Sequence, residues 1–432
     1  MKSVLIVAFD FPPQGGTGAI RVTKFAKYLP EFGWQPVVVT SDMLWNRDES
    51  LAQDVPPDTP VYRVGWPKWV QALRPAPPQP HMPATITAAR AACSSSLKTM
   101  GMQLARRLLV PDSTVLWVRN AQRACAQALR VHPCDVILTS SPPNTMHLVG
   151  QWVHSHFGTP WIADFRDVWT AENPSLRELG GLNFTRQRCL EQRVLQRCSR
   201  AVMVTEPLAQ RTLDVFGTQL ADKISVITNG FDPEDFNGTP AALDNDVFTI
   251  TYLGTMVGPW MANAFPEGIR YAVTHSDLFR QYGRVRFIGE LGTAYRARLA
   301  GLEANVEISN YVPHATAIEM MRHSHVLVLT LSDTQLASMT FTNKFFEYLA
   351  ARRPILAIVP PGLIQKVVEE EQLGWVAPPN APQVIGQTLL TLFDSLRNNP
   401  NIRTSSDMLL ARFNRRELTR CLAEILNQQV SR

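Results

Sequence analysis

Ten short apolar runs, almost all Val, Ile and Leu, set the limits on what this chain can fold into. They fall at 3–9, 36–40, 135–139, 160–164, 201–205, 224–228, 247–253, 285–288, 325–331 and 354–359. A strand with one face in water alternates apolar and polar residues, whereas a strand covered by helices on both faces does not need to. Helical patterns fill most of the gaps, most clearly at 20–32, 115–131, 145–157, 185–199, 206–216, 314–323, 342–351, 383–397 and 415–428. Strand–helix alternation of this kind implies an α/β fold with doubly wound parallel sheets.

Six of the runs precede residue 230 and four follow residue 246. The stretch between them, 237–246, is polar and contains Gly and Pro, as a linker should. We therefore expect two Rossmann-like domains facing a central cleft. The first is 1–236, joined by a C-terminal crossover helix within 415–432, and the second is 247–414.

Composition narrows the class. With 45% hydrophobic and 18% charged residues the chain reads as globular and soluble, not disordered. A net charge of +5 suits an anionic ligand or surface and is too weak to argue for nucleic acid. No run approaches the ~18 apolar residues of a membrane-spanning helix. The apolar run after Lys2 ends at Asp10 and reads as a buried strand, not a signal peptide. Cys93, Cys125, Cys134, Cys189, Cys198 and Cys421 form no C-x-x-C pair and are expected to be reduced thiols in the cytoplasm. Much of the excess proline lies in 55–88, read as loop or insertion. Residues 89–110 carry Arg90, Lys98, Arg106 and Arg107 among apolar positions, and 186–200 holds five Arg against one Glu. Each segment reads as a solvated surface helix or as a peripheral membrane contact.

Three motifs carry chemistry. FPPQGGTG, residues 11–18, separates the first run from a helix. Gly15, Gly16 and Gly18 let the backbone approach a phosphate or sugar, and the helix start adds a favourable dipole. A dinucleotide fold would want G-x-G-x-x-G, but Arg21 stands at the third glycine, although Asp42 lies about where a ribose-binding acid would. The plain alternative is a tight turn with no ligand. The second motif is Asp164-Phe165-Arg166-Asp167, at a strand's carboxyl end where α/β sites are built. Arg166 can hold a phosphate or polarise a leaving group, and either Asp can orient a hydroxyl. The alternative is a closed Arg–Asp ion pair that fixes the loop. The third is FTNKFFEYLA, residues 341–350. Thr342 or Asn343 can cap a helix, and Lys344 and Glu347, three apart, share a face. The helix start and Lys344 can bind a diphosphate, and Glu347 can accept both hydroxyls of a ribose. The alternative is a capped helix with an acid near its N-terminus.

In family order, these segments resemble the GT-B glycosyltransferases, and within them the group often called family 4. FPPQGGTGAIRVTKFAKYLPEFGWQPVVVTSD is similar to that family's N-terminal signature, and PWIADFRDVW resembles the D-F-R-D-x-W variant of one branch. ISVITNGFDPEDF resembles the segment leading to the interdomain linker, and NKFFEYLAARRPILA the donor-domain signature. The resemblance implies a retaining transfer from a nucleotide-sugar to a cell-surface polysaccharide, glycolipid or lipid-linked acceptor. It puts the nucleotide on the C-terminal domain and the acceptor on the N-terminal one. By the same resemblance Glu347 is expected to bind the ribose, and Gly15, Gly16 and Gly18 to approach the donor phosphates or the sugar, while the reading of the helix start adds Thr342 and Lys344 to the donor site. Arg166 falls where many members place a histidine beside the sugar, and with Asp164 and Asp167, which share its strand end, it is expected to form the catalytic group. No metal or cofactor is expected, since preorganised N–H groups and cations can stabilise a nucleoside diphosphate leaving group. Asp244-Asn245-Asp246, a D-x-D, falls in the linker and is taken as chance.

Three positions depart from the family pattern. Met339 stands where many members have an acid, 254–260 contains no cation where many have an Arg and a Lys, and Arg166 replaces a histidine. These departures motivate a second reading, a catalytically silent GT-B protein acting as a partner subunit or sugar-binding module. A sugar-nucleotide isomerase and a nicotinamide enzyme are further alternatives. The first needs a proton-abstracting group that the sequence does not display.

Overall fold

The computed structural model describes residues 1–44, 47–73, 108–173, 176, 181–237, 243, 246–258, 263–310, 312–398 and 405–430. Most of the basic segment 89–110, Cys93, Asp244 and Asn245 lie outside the described residues. The chain divides into two compact units, Met1–Ile227 with Thr419–Arg432, and Thr228–Leu418.

The first unit is a seven-stranded parallel sheet. Its strands are β1 (Lys2–Ala8), β2 (Trp34–Ser41), β3 (Val61–Val64), β4 (Val136–Ser141), β5 (Trp161–Phe165), β6 (Arg200–Met203) and β7 (Ile224–Val226). Their spatial order is β3-β2-β1-β4-β5-β6-β7. The order reverses between β1 and β4, so the two chain segments leaving those strands diverge. A crevice forms there, at the carboxyl ends, in folds of this kind. FPPQGGTG leaves β1 and the DFRD turn ends β5, one strand beyond β4, so both motifs emerge beside the switch point.

The second unit is a six-stranded parallel sheet of β8 (Phe248–Leu253), β9 (Gly283–Ile288), β10 (Val306–Ser309), β11 (Val326–Thr330), β12 (Ile355–Ile358) and β13 (Gly374–Ala377). The order is β10-β9-β8-β11-β12-β13. Along β11, Val326 and Val328 pack under the helices Phe265–His275 and Pro382–Asn398. Leu327 and Leu329 pack on the other face, with the helix Asn343–Ala350. Both faces of the strand are covered, which is why its sequence is an unbroken apolar run.

Three strands have no counterpart among the ten runs: β3, β10 and β13. All three are sheet edges, and none is fully buried along its length. Residues 61–64 were expected to be loop and instead form β3. An edge strand needs only one paired side and tolerates polar residues, so its sequence carries a weak signal.

The chain passes between the units twice, and the two passing stretches bond to each other. The Phe231 amide donates to the Phe413 carbonyl at 3.1 Å, and the Arg415 amide donates to the Phe231 carbonyl at 2.9 Å. The Arg415 guanidinium donates to the Gly230 carbonyl at 3.0 Å. A side-chain carbon on Gly230 would collide with the Phe413 carbonyl oxygen, a backbone atom that cannot step aside. Gly230→Ala is expected to break this pairing and cost about 1–3 kcal/mol, as overpacking does. A fall in the thermal midpoint measures it, and an unchanged midpoint would show that the two stretches do not depend on each other.

Candidate active site

In the first unit the helix Thr17–Tyr28 begins at Gly16, whose φ of 97° is a left-handed value that a side chain would strain. Gly15 is buried and Gly16 exposed. Gly18 has no room to spare. A carbon added there would collide with the Asp10 carboxylate and press on the Arg166 guanidinium. Arg166 donates to the Gly18 carbonyl and, at 3.3 Å, to the Pro142 carbonyl. It thereby ties the end of β5 to the glycine loop after β1 and to the turn after β4.

Arg166 is coupled to both Asp10 and Asp167. Burial lowers the Arg166 pKa, opposed by Asp167, Asp164 and Asp10 in that order. Burial raises the Asp10 pKa against the pull of Arg166. Burial raises Asp167 in the same way, again opposed by Arg166. Two partly desolvated carboxyls around one cation, at a strand end, form a centre suited to holding a polar ligand and moving a proton.

Asp164 is engaged differently. It is 1% exposed, and its carboxylate takes Arg21 Nη2 at 2.8 Å and Nε at 3.1 and 3.2 Å. Ser140 donates to its other side at 2.7 Å. The closed Arg–Asp pair that the motif allowed is therefore present, but its arginine is Arg21 and not Arg166. Both Asp164 oxygens are thus bonded inside the protein, while its charge still acts on Arg166 and Asp167. The same arginine explains the failed dinucleotide pattern: the third glycine is replaced by a side chain that anchors β5.

The turn after β5 is held from behind by the helix Gly181–Arg197. Glu191, 2% exposed, accepts from the Thr170 amide at 2.9 Å and from the Thr170 hydroxyl. Four residues earlier on the same face, Gln187 accepts from the Trp169 indole at 2.6 Å and donates to the Pro111 carbonyl at 2.8 Å. Burial pushes the Glu191 carboxyl up to about 7, although both bonds from Thr170 pull it down.

In the second unit Phe345, Phe346, Tyr348 and Leu349 turn the helix Asn343–Ala350 inward. The Tyr348 hydroxyl donates to the Val328 carbonyl at 3.2 Å and accepts from the Leu253 amide at 3.3 Å, locking the helix to β8 and β11. Lys344 and Glu347 are left on the opposite face. The Lys344 ammonium lies directly over Gly254, the residue after β8, and a carbon on Gly254 would overlap it. Gly254 has a φ of 133°, and Gly289 after β9, at 128°, packs against its backbone. A cation thus stands at the very loop whose sequence contains none.

Burial raises the Glu347 pKa, with His314, Lys344 and Arg415 opposing and Asp235 adding to it. Burial lowers the Lys344 pKa, with Glu347 opposing. His314 stands 3.5 Å from Asp235. Thr342 occupies the N-cap position, yet its hydroxyl makes no capping bond. The Thr342 hydroxyl oxygen and the Asn343 amide oxygen are buried without a hydrogen-bond partner. The capping role expected of them is not realised, and two buried acceptors beside Lys344 remain open to a ligand. His314, Asp235 and Arg415 lie far from Glu347 in sequence, and no local motif pointed to them.

Two Rossmann-like units, each with its motifs at the carboxyl ends of parallel strands, define the GT-B class. Residues 16–230 match the family model described as Glycosyl transferase 4-like domain, and 249–395 the one described as Glycosyl transferases group 1. The chain belongs to this glycosyltransferase family and is a glycosyltransferase. No curated protein matches it. Several solved structures share its fold. Sucrose-phosphate synthase from Thermosynechococcus elongatus is 15% identical over all of both chains, with a TM-score of 0.65. Anabaena HepE in complex with UDP is 14% identical over 99% of this chain and 100% of that one, at 0.64. The same protein with UDP-glucose gives 15% and 0.64. A glycosyltransferase from Rickettsia africae is 14% identical over 99% of this chain and 98% of that one, at 0.62.

The buried Glu191 makes the DFRD turn sensitive to pH. Its folded pKa lies above the unfolded value, so between the two the native state holds a proton that the unfolded chain has released. Stability therefore falls as pH rises through that window, by on the order of 3 kcal/mol between roughly pH 5 and 8. Glu191→Gln keeps an acceptor for Thr170 and carries no titrating proton. Denaturant midpoints across that range should decline in the wild type more steeply than in the variant; parallel declines would dismiss Glu191 as the cause.

Proposed function

We propose that this glycosyltransferase moves a sugar from a nucleotide-sugar to a polysaccharide, glycolipid or lipid-linked acceptor, with retention at the anomeric carbon. The observation that carries the donor half is Lys344 held over Gly254 next to Glu347. Charge grows on the diphosphate as the glycosidic bond breaks, and a fixed cation at a water-poor site stabilises that charge. Lys344 is the cation for the diphosphate, Glu347 accepts the ribose hydroxyls, and the unsatisfied oxygens of Thr342 and Asn343 take donor hydroxyls. The reading uses no metal.

In the first unit, Gly15 and Gly16 offer backbone to the transferred sugar or the donor phosphates. Gly18 serves by leaving space for Asp10 and Arg166. Arg166 and Asp167 are the groups placed to touch reactants, and Asp164 is a positioning residue acting through Arg21 and Ser140. Retention is assigned to attack on the same face as departure, with no protein nucleophile.

Peripheral attachment to the cytoplasmic face of a membrane belongs to the same reading. Among the described residues no helix is long and apolar enough to cross a membrane. On the helix Gly181–Arg197, however, Arg186, Arg193 and Arg197 are exposed and share one face, and Leu182 at its start is 69% exposed. A basic stripe led by an apolar residue suits an anionic lipid surface. Replacing those three arginines by glutamine should abolish flotation with anionic liposomes at low salt, while neutral liposomes float neither form. Undiminished flotation of the variant would remove the helix from this role.

The donor site is tested by thermal shift with UDP-, GDP-, dTDP- and CMP-sugars. A ligand at about 100 times its Kd stabilises by roughly 2.7 kcal/mol, so a bound donor is easily seen. One nucleotide should shift the wild type, and the shift should vanish in Glu347→Ala. Lys344→Ala and Gly254→Ala should each weaken binding at least tenfold, the second by displacing the ammonium. Absence of a shift with every donor would overturn the proposal. Binding without transfer to any acceptor would favour the silent partner-subunit reading.

A further inference from the structure

The second unit carries a groove on the face of its sheet opposite the helix Asn343–Ala350. It has a volume of about 420 Å3 and runs between the edge strand β13 and the helices Phe265–His275 and Pro382–Asn398. Trp375 of β13 and Tyr271 line it on the strand and helix sides. Gln383, Val384, Gln387 and Thr391 line it from one face of Pro382–Asn398, at the i, i+1, i+4 and i+8 spacing of a solvent-facing stripe. The opposite stripe of that helix, including Ile385, Leu389 and Phe393, fills the core.

The lining has three properties in combination. Its described residues include two aromatic ones and no charged one. Its polar groups are unspent: the Trp375 indole nitrogen, the Tyr271 hydroxyl and the side-chain amides of Gln383 and Gln387 make no hydrogen bond among the described residues. The Thr391 hydroxyl donates to the Gln387 carbonyl at 3.0 Å and keeps its acceptor lone pairs. The groove is also built with close tolerances. Tyr271 stacks on His275 with ring centroids 3.9 Å apart, and it lies against Gly386, where any side chain would collide with its ring.

Neutral sugars present apolar C–H faces that pack on aromatic rings and a rim of hydroxyls that pair with amides. Anionic nucleotides and lipid headgroups call for cations, and none is among the described lining residues. From the unpaired amides and hydroxyls beside Trp375 and Tyr271, we propose that this groove is an accessory binding site for a neutral oligosaccharide, separate from the donor site. The site holds a glycan chain in place and takes no part in bond breaking. The proposal stands on the groove alone and does not require the donor assignment to be correct.

The test uses the full chain, with neutral glucan, mannan and chitin oligosaccharides as probes, read by saturation-transfer NMR and by titration. At least one class should bind the wild type, and Trp375→Ala and Gln387→Ala should each lower its affinity about tenfold or more. Val384→Arg, at a position 47% exposed, blocks the groove without disturbing the core and should abolish binding. Glu347→Ala and saturating UDP should leave binding unchanged, which separates this site from the donor site. Binding of no oligosaccharide class, or binding insensitive to all three groove variants, would overturn the proposal. So would self-association of the wild type that Val384→Arg abolishes, because the groove would then be an interface between copies of this chain.

Discussion

The first unit depends on the ion pair between Arg21 and Asp164. Both side chains are 1% exposed, so neither charge has water to fall back on. Desolvating two such groups costs several kcal/mol each, and only tight geometry with every remaining polar position bonded recovers it. That condition is met: two guanidinium nitrogens and the Ser140 hydroxyl reach the carboxylate, and the Arg21 guanidinium also donates to the Ile227 carbonyl at 2.9 Å. One pair thus joins the helix after β1, the ends of β4 and β5, and the residue at which the chain leaves the unit. Removing either partner would strand the other charge, a loss of about 3–5 kcal/mol. The centre around Arg166 is assembled on this frame, since Arg166 is two residues from Asp164 and bonds to the loop that Arg21 anchors.

How legible a feature was in the sequence followed from where it sits. The central strands declared themselves because helices cover both of their faces, and that leaves an apolar run. β3, β10 and β13 stayed hidden because an edge strand needs neither full burial nor strict pattern. Among the candidate residues, those close together in sequence could be grouped from the sequence: Arg166 with Asp167, and Lys344 with Glu347. Those assembled by the fold could not. Arg21 was noticed only as a broken glycine pattern, and the carboxylate it pairs with lies 143 residues away. Glu191 and Gln187 carry the one faint signal that was available, two polar residues four apart on the buried side of an amphipathic helix. A buried polar side chain needs a partner, so that spacing marks a helix that is bonded to something.

The two units handle buried charge by contrasting means. In the first, Asp164 is closed in an ion pair with Arg21 and bonded by Ser140, while Asp10 and Asp167 share the influence of Arg166 and keep raised pKa values. In the second, Glu347 faces three basic groups and one acid, with none of them closing on it as Arg21 closes on Asp164. A carboxylate that is surrounded but not sealed retains the capacity to accept hydroxyls from outside the protein. This difference, more than burial, separates a residue that holds the fold from one that can hold a ligand.

The loop after β8 has no cation of its own, and the fold brings one to it from another segment. Residues 254–260 contain no Arg or Lys, and by sequence alone the loop looks disarmed. Two conditions restore the charge. Gly254 must lack a side chain so that the Lys344 ammonium can lie on its backbone, and Gly289 must lack one so that Gly254 can adopt its left-handed φ against it. A lysine projecting from a helix bonded through Tyr348 has fewer conformations open to it than one carried on a loop, because four side chains of the helix are buried in the core. Less entropy is then lost when an anion is gripped, and preorganisation of that kind strengthens binding without a new contact. The loop without a cation and the lysine three residues before Glu347 therefore meet in the fold, although some ninety residues separate them in the chain.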